Sequence, residues 1–243
     1  MISTEITAAD INWPCKLDDE FKQKLLSIAI PVKGLPNTEA SINNPYFRGV
    51  YYIHTGLSYL CITSLDFKPL NCAVFGAQSW LGALFMYNHP EIPLHLGEIE
   101  SGEILFFPKK KIQLLCNETD QTHRWLFHIA SFNSPKFFQI KKIPLYKKDI
   151  RIIYYLLELA AQSTQIKGVH PKINITQQQL SDLSGIARPS VNRVLKELEQ
   201  ENLITSSRGS INLNDLNGLS GRLEDVNLVF NDPSRILLLN NAK

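Results

Sequence analysis

Two different hydrophobic periods divide this chain into an N-terminal and a C-terminal part. Between about residues 46 and 115, short apolar and aromatic runs are separated by Gly, Pro and Asn, which predicts closely spaced β-strands joined by turns. From residue 146 onward, apolar positions recur every three or four residues, as in amphipathic helices. The chain is therefore predicted to be α+β, with an N-terminal β-roll or jelly-roll domain followed by a helical domain.

Residues 173–211 predict two short helices, the turn between them and a β-hairpin. Thr176 and Gln179 make the T-x-x-Q pattern of a capping box. Gly185 suits the left-handed residue that ends the first helix, and Pro189 suits the first turn of the second. Gly209, between two short β-prone segments, then predicts the turn of a β-hairpin, which is called the wing. This order is typical of a winged helix-turn-helix.

The second helix predicts contact with DNA. Its apolar residues, Val191, Val194, Leu195 and Leu198, fall at i, i+3, i+4 and i+7 and form one stripe. The opposite face is basic and rich in amide and hydroxyl groups, which suits a helix in the major groove. A solvated helix pair in an α-rich domain is the alternative. The residues expected to contact DNA are Thr176, Gln177, Arg188, Pro189, Ser190, Asn192, Arg193, Lys196 and, in the wing, Arg208.

Residues 175–204, ITQQQLSDLSGIARPSVNRVLKELEQENLI, resemble the DNA-binding signature of the Crp/Fnr regulators, the family of the catabolite activator protein. Arg188 and Arg193 fall on the two arginines of that signature, and Val191 falls on its buried valine. Pro189 stands where the family usually has Glu, so the family's usual half-site does not carry over. The resemblance implies a cyclic-nucleotide-binding-like domain, a dimerisation helix and a C-terminal winged helix-turn-helix.

Four parts follow from this resemblance. Residues 1–118 are expected to form the barrel-like sensor domain, 119–145 the dimerisation helix and hinge, and 146–218 the DNA-binding domain. Residues 219–243 extend beyond the usual end of the family, and their apolar run is expected to dock on the rest of the chain.

Residues 119–145, which connect the two domains, have an apolar face. The resemblance implies that this face pairs with a second chain across a two-fold axis. The alternative is that it packs on the chain's own barrel, and one helix can make both contacts. Pro135 is expected to end or kink this helix early. The residues expected at the dimer interface are Trp125, Leu126, Ile129 and Phe132.

The usual cyclic nucleotide pocket is expected to be missing. Relatives that bind cyclic AMP carry a Glu after a Gly for the ribose, but here Ala83 follows Gly82. They also carry an Arg for the cyclic phosphate, whereas residues 87–103 contain neither Arg nor Lys. Burying a phosphate without a cationic partner is costly. No cofactor is therefore expected.

Charge and hydropathy favour a cytoplasmic DNA-binding protein. Residues 142–210 hold ten Lys or Arg and six Asp or Glu, although the whole chain has a net charge of only +2. Positive charge is thus concentrated where phosphates need neutralising. No apolar run approaches the ~18 residues of a membrane span, and no secretory signal is recognised at the N-terminus. Lys109-Lys110-Lys111 is expected to be a solvated strand end.

Cysteine and histidine positions do not suggest a metal site. The four cysteines lack a C-x-x-C pair and are predicted to be buried free thiols in a reducing cytosol. His123 and His128 are five residues apart, which misses the i,i+4 spacing of two ligands on one helix face. His95 and Glu98 lack the second His of a cupin motif. No metal and no catalytic residue are therefore predicted.

The leading hypothesis is a homodimeric transcription regulator that binds an inverted-repeat operator in double-stranded DNA without cyclic AMP and is not an enzyme. RNA polymerase is a further candidate partner, and no membrane is expected. A second hypothesis is the same scaffold gated by another small molecule. A third is a cupin-like metalloenzyme barrel fused to an interaction domain.

Overall fold

Seven strands are found in the described residues of the N-terminal part of the protein. The structure, a computed structural model, describes residues 6–33, 49–63, 69–87, 94–163 and 170–241. The strands are β1 (Ile30–Lys33), β2 (Gly49–Ile53), β3 (Leu57–Thr63), β4 (Pro69–Phe75), β5 (Ser79–Leu81), β6 (Leu94–Glu100) and β7 (Glu103–Pro108). They pair into two antiparallel sheets, ordered β1-β7-β2-β5 and β4-β3-β6.

Eight α-helices and a small sheet complete the described parts of the chain. The helices are α1 (Asp19–Ile28), α2 (Lys109–Glu118), α3 (Gln121–Lys142), α4 (Lys148–Gln162), α5 (Gln177–Ser184), α6 (Arg188–Gln200), α7 (Leu216–Gly221) and α8 (Pro233–Asn241). The small sheet has the order β8-β10-β9, from β8 (Lys172–Ile173), β9 (Ile204–Ser207) and β10 (Ser210–Leu213). The predicted α+β class, with antiparallel sheets before a helix-turn-helix, is confirmed.

Strand β2 is buried on both faces of its sheet. Successive side chains of a strand point to opposite faces, and here they enter two different cores. Val50 and Tyr52 pack with α1, α2 and α3. Tyr51 and Ile53 point the other way, into the space between the two sheets. This explains why the β2 run reads as continuously apolar rather than alternating.

The second sheet is also buried on both faces, and this places the DNA-binding part of the chain against the barrel. Leu60 and Ala73 point into the space between the sheets. Cys72 and Val74 point outward, into the core that holds α4, α5 and α6. The hydroxyl of Tyr155 on α4 donates to the carbonyl oxygen of Cys72 at 3.1 Å. The barrel and the helical domain therefore share one continuous core.

The C-terminal extension docks on α4. Leu228 and Leu237 are buried in the same core as the apolar residues of α4. The hydroxyl of Tyr146, just before α4, donates to the carbonyl oxygen of Asn227 at 3.0 Å. The extension was expected to dock, and it does so on the first helix of the DNA-binding domain.

The expectation for the start of α2 was wrong, and α3 does not end at Pro135. The three lysines from Lys109 form the first turn of α2 and not a strand end. Helix α3 continues past Pro135 to Lys142. Proline leaves the carbonyl of the residue four positions earlier without its helical partner. Both Pro135 and Ser131 are exposed, so water can satisfy that carbonyl and the helix persists.

The expectation of four free thiols was wrong for one pair of cysteines. Cys61 on β3 lies directly opposite Cys72 on β4, with the Cα atoms 4.1 Å apart, and a disulfide joins them. The antiparallel register brings the two residues together, and the sequence spacing alone does not show that register. Cys15 and Cys116 are free and half-buried.

Candidate nucleic-acid interface

Helix α5 begins and ends where the sequence predicts. Thr176 Oγ1 accepts from the backbone N–H of Gln179 at 3.1 Å, and the Gln179 side chain accepts from the backbone N–H of Thr176 at 2.9 Å. This reciprocal capping box satisfies two donors at the helix start. Gly185 ends the helix with φ 62°, a left-handed conformation that suits glycine. The short helix therefore leads into a tight turn and then into α6.

Helix α6 buries one face and exposes the other. Val191, Val194, Leu195 and Leu198 are buried in the core shared with α4 and α5. Pro189 lies in the first turn, as predicted. The predicted apolar stripe is thus the face by which the helix is held. Its opposite face is left open to a partner.

The polar face of α6 carries most of the residues that were predicted to contact DNA. Arg188, Pro189, Arg193 and Lys196 are exposed, and Ser190 and Asn192 are half-buried.

Arg193 is close to one carboxylate. Its Nε lies 3.8 Å from Glu197 Oε1, and both side chains are more than half exposed. An exposed i,i+4 pair contributes only about 0.3–0.5 kcal/mol. The guanidinium can therefore leave Glu197 for a base edge at little cost.

Lys148 was not predicted to belong to this surface. Its Nζ lies 3.5 Å from Ser190 Oγ, which brings the start of α4 next to the start of α6. Lys148 precedes the helix-turn-helix by about thirty residues in the sequence, so periodicity could not place it there. The signal that could have found it is the adjacent pair Lys147-Lys148, which opens an otherwise apolar helix.

The wing is tied to α6. β9 and β10 pair in antiparallel register from Ile204 to Leu213. Gly209 has φ 80° in the turn, and the neighbouring Arg208 is exposed. The Glu199 carboxylate on α6 accepts from the backbone N–H of Ser206 at 2.7 Å. The hairpin is thus held against the second helix, with its arginine at the tip.

The two remaining predicted contacts lie at the start of α5. Thr176 is exposed and Gln177 is half-buried. The Thr176 hydroxyl also donates to the Gln179 side-chain oxygen at 2.9 Å, as part of the same contact between the two residues.

Arg151 is a basic residue of α4 that is committed to the fold. Its guanidinium donates to the carbonyl oxygen of Ser184, at the end of α5. Burial lowers the pKa of this group, because water no longer solvates its charge. Arg151 therefore joins α4 to the helix-turn-helix and is not available to a partner in this conformation.

The structure separates the four residues that were predicted at the dimer interface. Trp125, Leu126 and Ile129 are buried in the chain's own core with α1 and β2. They cannot supply contacts to a second chain in this conformation, so that part of the prediction needs correction. Phe132 is 84% exposed. It stands seven residues after Trp125, so it lies near the edge of the buried face of α3. The apolar spacing identifies the inward face of the helix, and Phe132 is the one residue of the four that is open to a partner.

Two further phenylalanines of α3 are exposed on another side of the helix from Phe132. Phe127 is 68% exposed and Phe138 is 54% exposed. Sequence reasoning missed them because they stand five and six residues from Phe132, which does not fit the spacing of a single helix face.

Aromatic side chains fill the space between the two sheets. The rings of Tyr51 and Phe106 stack with centroids 4.9 Å apart. Phe75 contacts Phe137 of α3, with centroids 6.2 Å apart. Gly82, with φ 102°, precedes a short 3-10 turn that starts at Ala83. Part of the segment that holds the phosphate-binding arginine in relatives, residues 88–93, lies outside the described residues.

Neither a metal site nor a membrane span is found within the described ranges. No group of three or more His, Cys, Asp or Glu side chains there could hold a metal ion. His89 lies outside those ranges. No described helix combines the length and apolarity needed to cross a bilayer.

Comparison with known proteins supports the interpretation of the C-terminal part. Residues 150–222 match the model of the Crp-like helix-turn-helix domain. The HTH-type transcriptional regulator Cmr of Mycobacterium tuberculosis is 35% identical over 69 residues, which cover 27% of this chain and 28% of that protein. The chain thus aligns with less than a third of the length of this curated relative.

Solved structures resemble most of the chain. A transcriptional regulator of the Crp/Fnr family from Eubacterium rectale has a TM-score of 0.64 at 16% identity, over 84% of this chain and 94% of that one. The c-di-GMP-responsive global regulator CLP of Xanthomonas campestris has a TM-score of 0.63 at 17% identity, over 82% of this chain and 100% of that one. At these identities the likeness establishes the fold.

Proposed function

Since residues 150–222 form a Crp-like helix-turn-helix domain within a Crp/Fnr fold, we propose that this protein is a cytoplasmic transcription regulator that binds specific DNA sequences. The observation that carries the proposal is the division of α6, whose apolar face is fully buried while its basic face is open. A helix held in this way can enter the major groove, about 12 Å wide, without unfolding. The proposed protein has the four parts that the sequence predicts, with boundaries after residues 118, 145 and 218.

The residues of this surface divide into two groups by chemistry. Arg188, Asn192 and Arg193 face outward from α6 and carry groups that can form paired hydrogen bonds to base edges. Lys148, Lys196, Arg208 and the hydroxyls of Thr176 and Ser190 suit phosphates, which position the protein without reading sequence. Pro189 and Gln177 flank these groups and can contact the sugar-phosphate backbone.

We further propose a homodimer on an inverted repeat, with a corrected interface. The two-fold contact uses exposed side chains of α3 around Phe132 rather than the buried Trp125 and its neighbours. At roughly 200 Å² for a fully exposed phenylalanine, Phe132, which is 84% exposed, offers about 170 Å² per chain. A standard interface buries about 800 Å² per partner. Phe132 would thus supply about a fifth of the contact, and neighbouring exposed side chains the remainder.

DNA binding is proposed to be independent of cyclic AMP. The rings of Tyr51 and Phe106 stack, and those of Phe75 and Phe137 pack at an angle, so aromatic side chains fill space between the sheets and leave less room there for a nucleotide. An effector other than a cyclic mononucleotide is the second candidate for this scaffold. The similarity in fold to CLP, which is described as c-di-GMP responsive, favours testing it.

Selection of bound sequences from a pool of random duplexes tests the proposed function. We expect an inverted repeat whose half-sites lie about one helical turn apart, because two recognition helices then meet successive major grooves. A variant with both Arg188→Ala and Arg193→Ala is the matched control and should enrich no motif. Enrichment of no motif by the unmodified protein would refute the proposal, and a single unrepeated motif would refute the dimer.

A further inference from the structure

A buried ion pair joins the long helix to the DNA-binding domain. Lys136 Nζ on α3 lies 3.0 Å from Glu158 Oε1 on α4. The two side chains are only 13% and 2% exposed. Removing two opposite charges from water is costly unless further polar contacts support them. The surroundings of this pair supply those contacts.

Each member of the pair is held by another part of the chain. Lys136 Nζ also donates to the carbonyl oxygen of Val74 on β4, at 2.6 Å, and lies 5.0 Å from the centroid of the Phe75 ring. Glu158 Oε2 accepts from the Asn231 amide of the C-terminal extension, at 2.9 Å.

Asn231 completes a second contact at the same place. Its amide nitrogen also donates to the hydroxyl oxygen of Tyr154 on α4, at 3.0 Å. Both hydrogens of the amide are therefore used. Burial, followed by the charge of Glu158, raises the pKa of Tyr154 well above its usual value, so the hydroxyl remains neutral.

Four parts of the protein therefore meet at Lys136 and Glu158: α3, the barrel strand β4, helix α4 and the C-terminal extension. Replacing a buried ion pair by apolar residues often leaves stability unchanged or improves it. A charged pair at such a junction is better explained by the geometry that it enforces. Residues 143–147, the hinge, connect α3 to α4. The ion pair is a second link between the two helices, about two turns before the hinge on α3 and about three turns after it on α4.

We propose that the Lys136–Glu158 ion pair, supported by Asn231, positions the winged helix-turn-helix relative to α3 and thereby sets the distance between the two half-sites that a dimer can bind. This inference rests on the proposed function. If α3 is the two-fold contact, a fixed angle between α3 and α4 fixes the separation of the two recognition helices. Base pairs are spaced about 3.4 Å apart along the duplex, so a small change of this angle shifts the preferred spacing.

The test uses duplexes in which the two half-sites are moved together or apart by one base pair at a time. For the unmodified protein, we expect at least a tenfold loss of affinity for each step away from the preferred spacing. For Lys136→Met, the affinities for duplexes of several different spacings should agree to within about threefold, which is a flat spacing profile. Single-base changes within a half-site should cost the variant as much as they cost the unmodified protein.

Two further variants keep the inference falsifiable if Lys136→Met fails to fold. The double change Lys136→Met with Glu158→Leu removes both charges, and Asn231→Ala removes only the support. Both variants should fold and should flatten the spacing profile, and Asn231→Ala should flatten it less than the double variant. Arg235→Met is the matched control, because Arg235, whose side chain is exposed, forms an ion pair with Asp232 in the same extension. It should behave like the unmodified protein.

Hydrogen exchange provides a readout that does not depend on DNA. In Lys136→Met or the double variant, the backbone amides of the hinge at Ile143, Leu145, Tyr146 and Lys147 should exchange at least tenfold faster, while those of α6 remain unchanged. Unchanged exchange at the hinge together with an unchanged spacing profile, in a folded variant, would overturn the inference. If the unmodified protein binds no inverted repeat, the proposed function fails, and the exchange measurement still decides whether the ion pair holds the hinge.

Discussion

Lys148 Nζ lies 3.5 Å from Ser190 Oγ, so the first turns of α4 and α6 share one surface. The partial positive charge at a helix start favours a phosphate. The lysine adds a full charge at the same point. We therefore expect Lys148 to contact a phosphate from outside the helix-turn-helix.

Lys148→Ala should weaken binding to all DNA sequences by a similar factor. It should also reduce the slope of log affinity against log salt concentration by about one. The reason is that a phosphate contact carries no sequence information. Fluorescence anisotropy at several salt concentrations measures both effects. Lys111→Ala, an exposed lysine of α2, is the control and should change neither. A loss confined to the preferred operator would contradict this role.

Arg193→Ala should cost about 1–3 kcal/mol on the preferred operator and relax the preference at one base pair. The exposed guanidinium can form two hydrogen bonds to a guanine, and alanine forms none. Competition binding against operators substituted one position at a time measures the change. Arg188→Ala should relax a different base pair, whereas Lys196→Ala should weaken all sequences alike. Equal losses on operator and random DNA for Arg193→Ala would show that it does not read bases.

The helix-turn-helix could be predicted from the sequence because its signals are local. The capping box at Thr176, the left-handed Gly185 and the apolar stripe of α6 each depend on residues within one or two turns. Each of these patterns fits one local backbone geometry. The structure reproduces all three.

The long-range contacts could not be predicted in the same way. Cys61 meets Cys72 only through a strand register, and Lys148 meets Ser190 only through the packing of α4 on α6. The spacing of Trp125 and its neighbours correctly indicated a buried face but could not indicate what buries it. Burial by the chain's own sheet and burial by a second chain give the same apolar pattern.

Phe132→Asp should convert the dimer into a monomer at micromolar concentration. A carboxylate at the centre of an apolar two-fold contact meets its own copy and must also leave water. Sedimentation velocity measures the change. Leu114→Asp, at a residue of α2 that is 64% exposed, is the control and should leave the dimer intact. A Phe132→Asp variant that remains dimeric would place the interface elsewhere.

Two of the four cysteines should react with a thiol reagent when the protein is denatured without reductant, because Cys61 and Cys72 are joined. Replacing both by Ser should lower the free energy of unfolding by about 2–3 kcal/mol, the usual effect for a short closed loop. Urea denaturation measures this loss. Replacing the free Cys15 and Cys116 by Ser serves as the control and should cost less. Four reactive thiols would show that the pair is reduced under the conditions of purification.

Cyclic AMP should neither bind at micromolar concentration nor strengthen operator binding. Its phosphate must leave water, yet Ala83 follows Gly82 and residues 87–103 contain neither Arg nor Lys. Losing the ribose acceptor and the cationic partner together should cost several kcal/mol, which moves a micromolar site to millimolar or weaker.

The aromatic rings between the sheets add a steric barrier to a nucleotide. A ligand shifts a conformational equilibrium only by its difference in affinity for the two states, so a nucleotide that does not bind cannot activate the protein. Titration calorimetry with cyclic AMP and cyclic GMP, paired with operator binding in their presence, is the measurement. The same titration with c-di-GMP examines the alternative effector. Micromolar binding of a cyclic mononucleotide, with a matching gain in operator affinity, would show that the missing arginine is replaced by another residue.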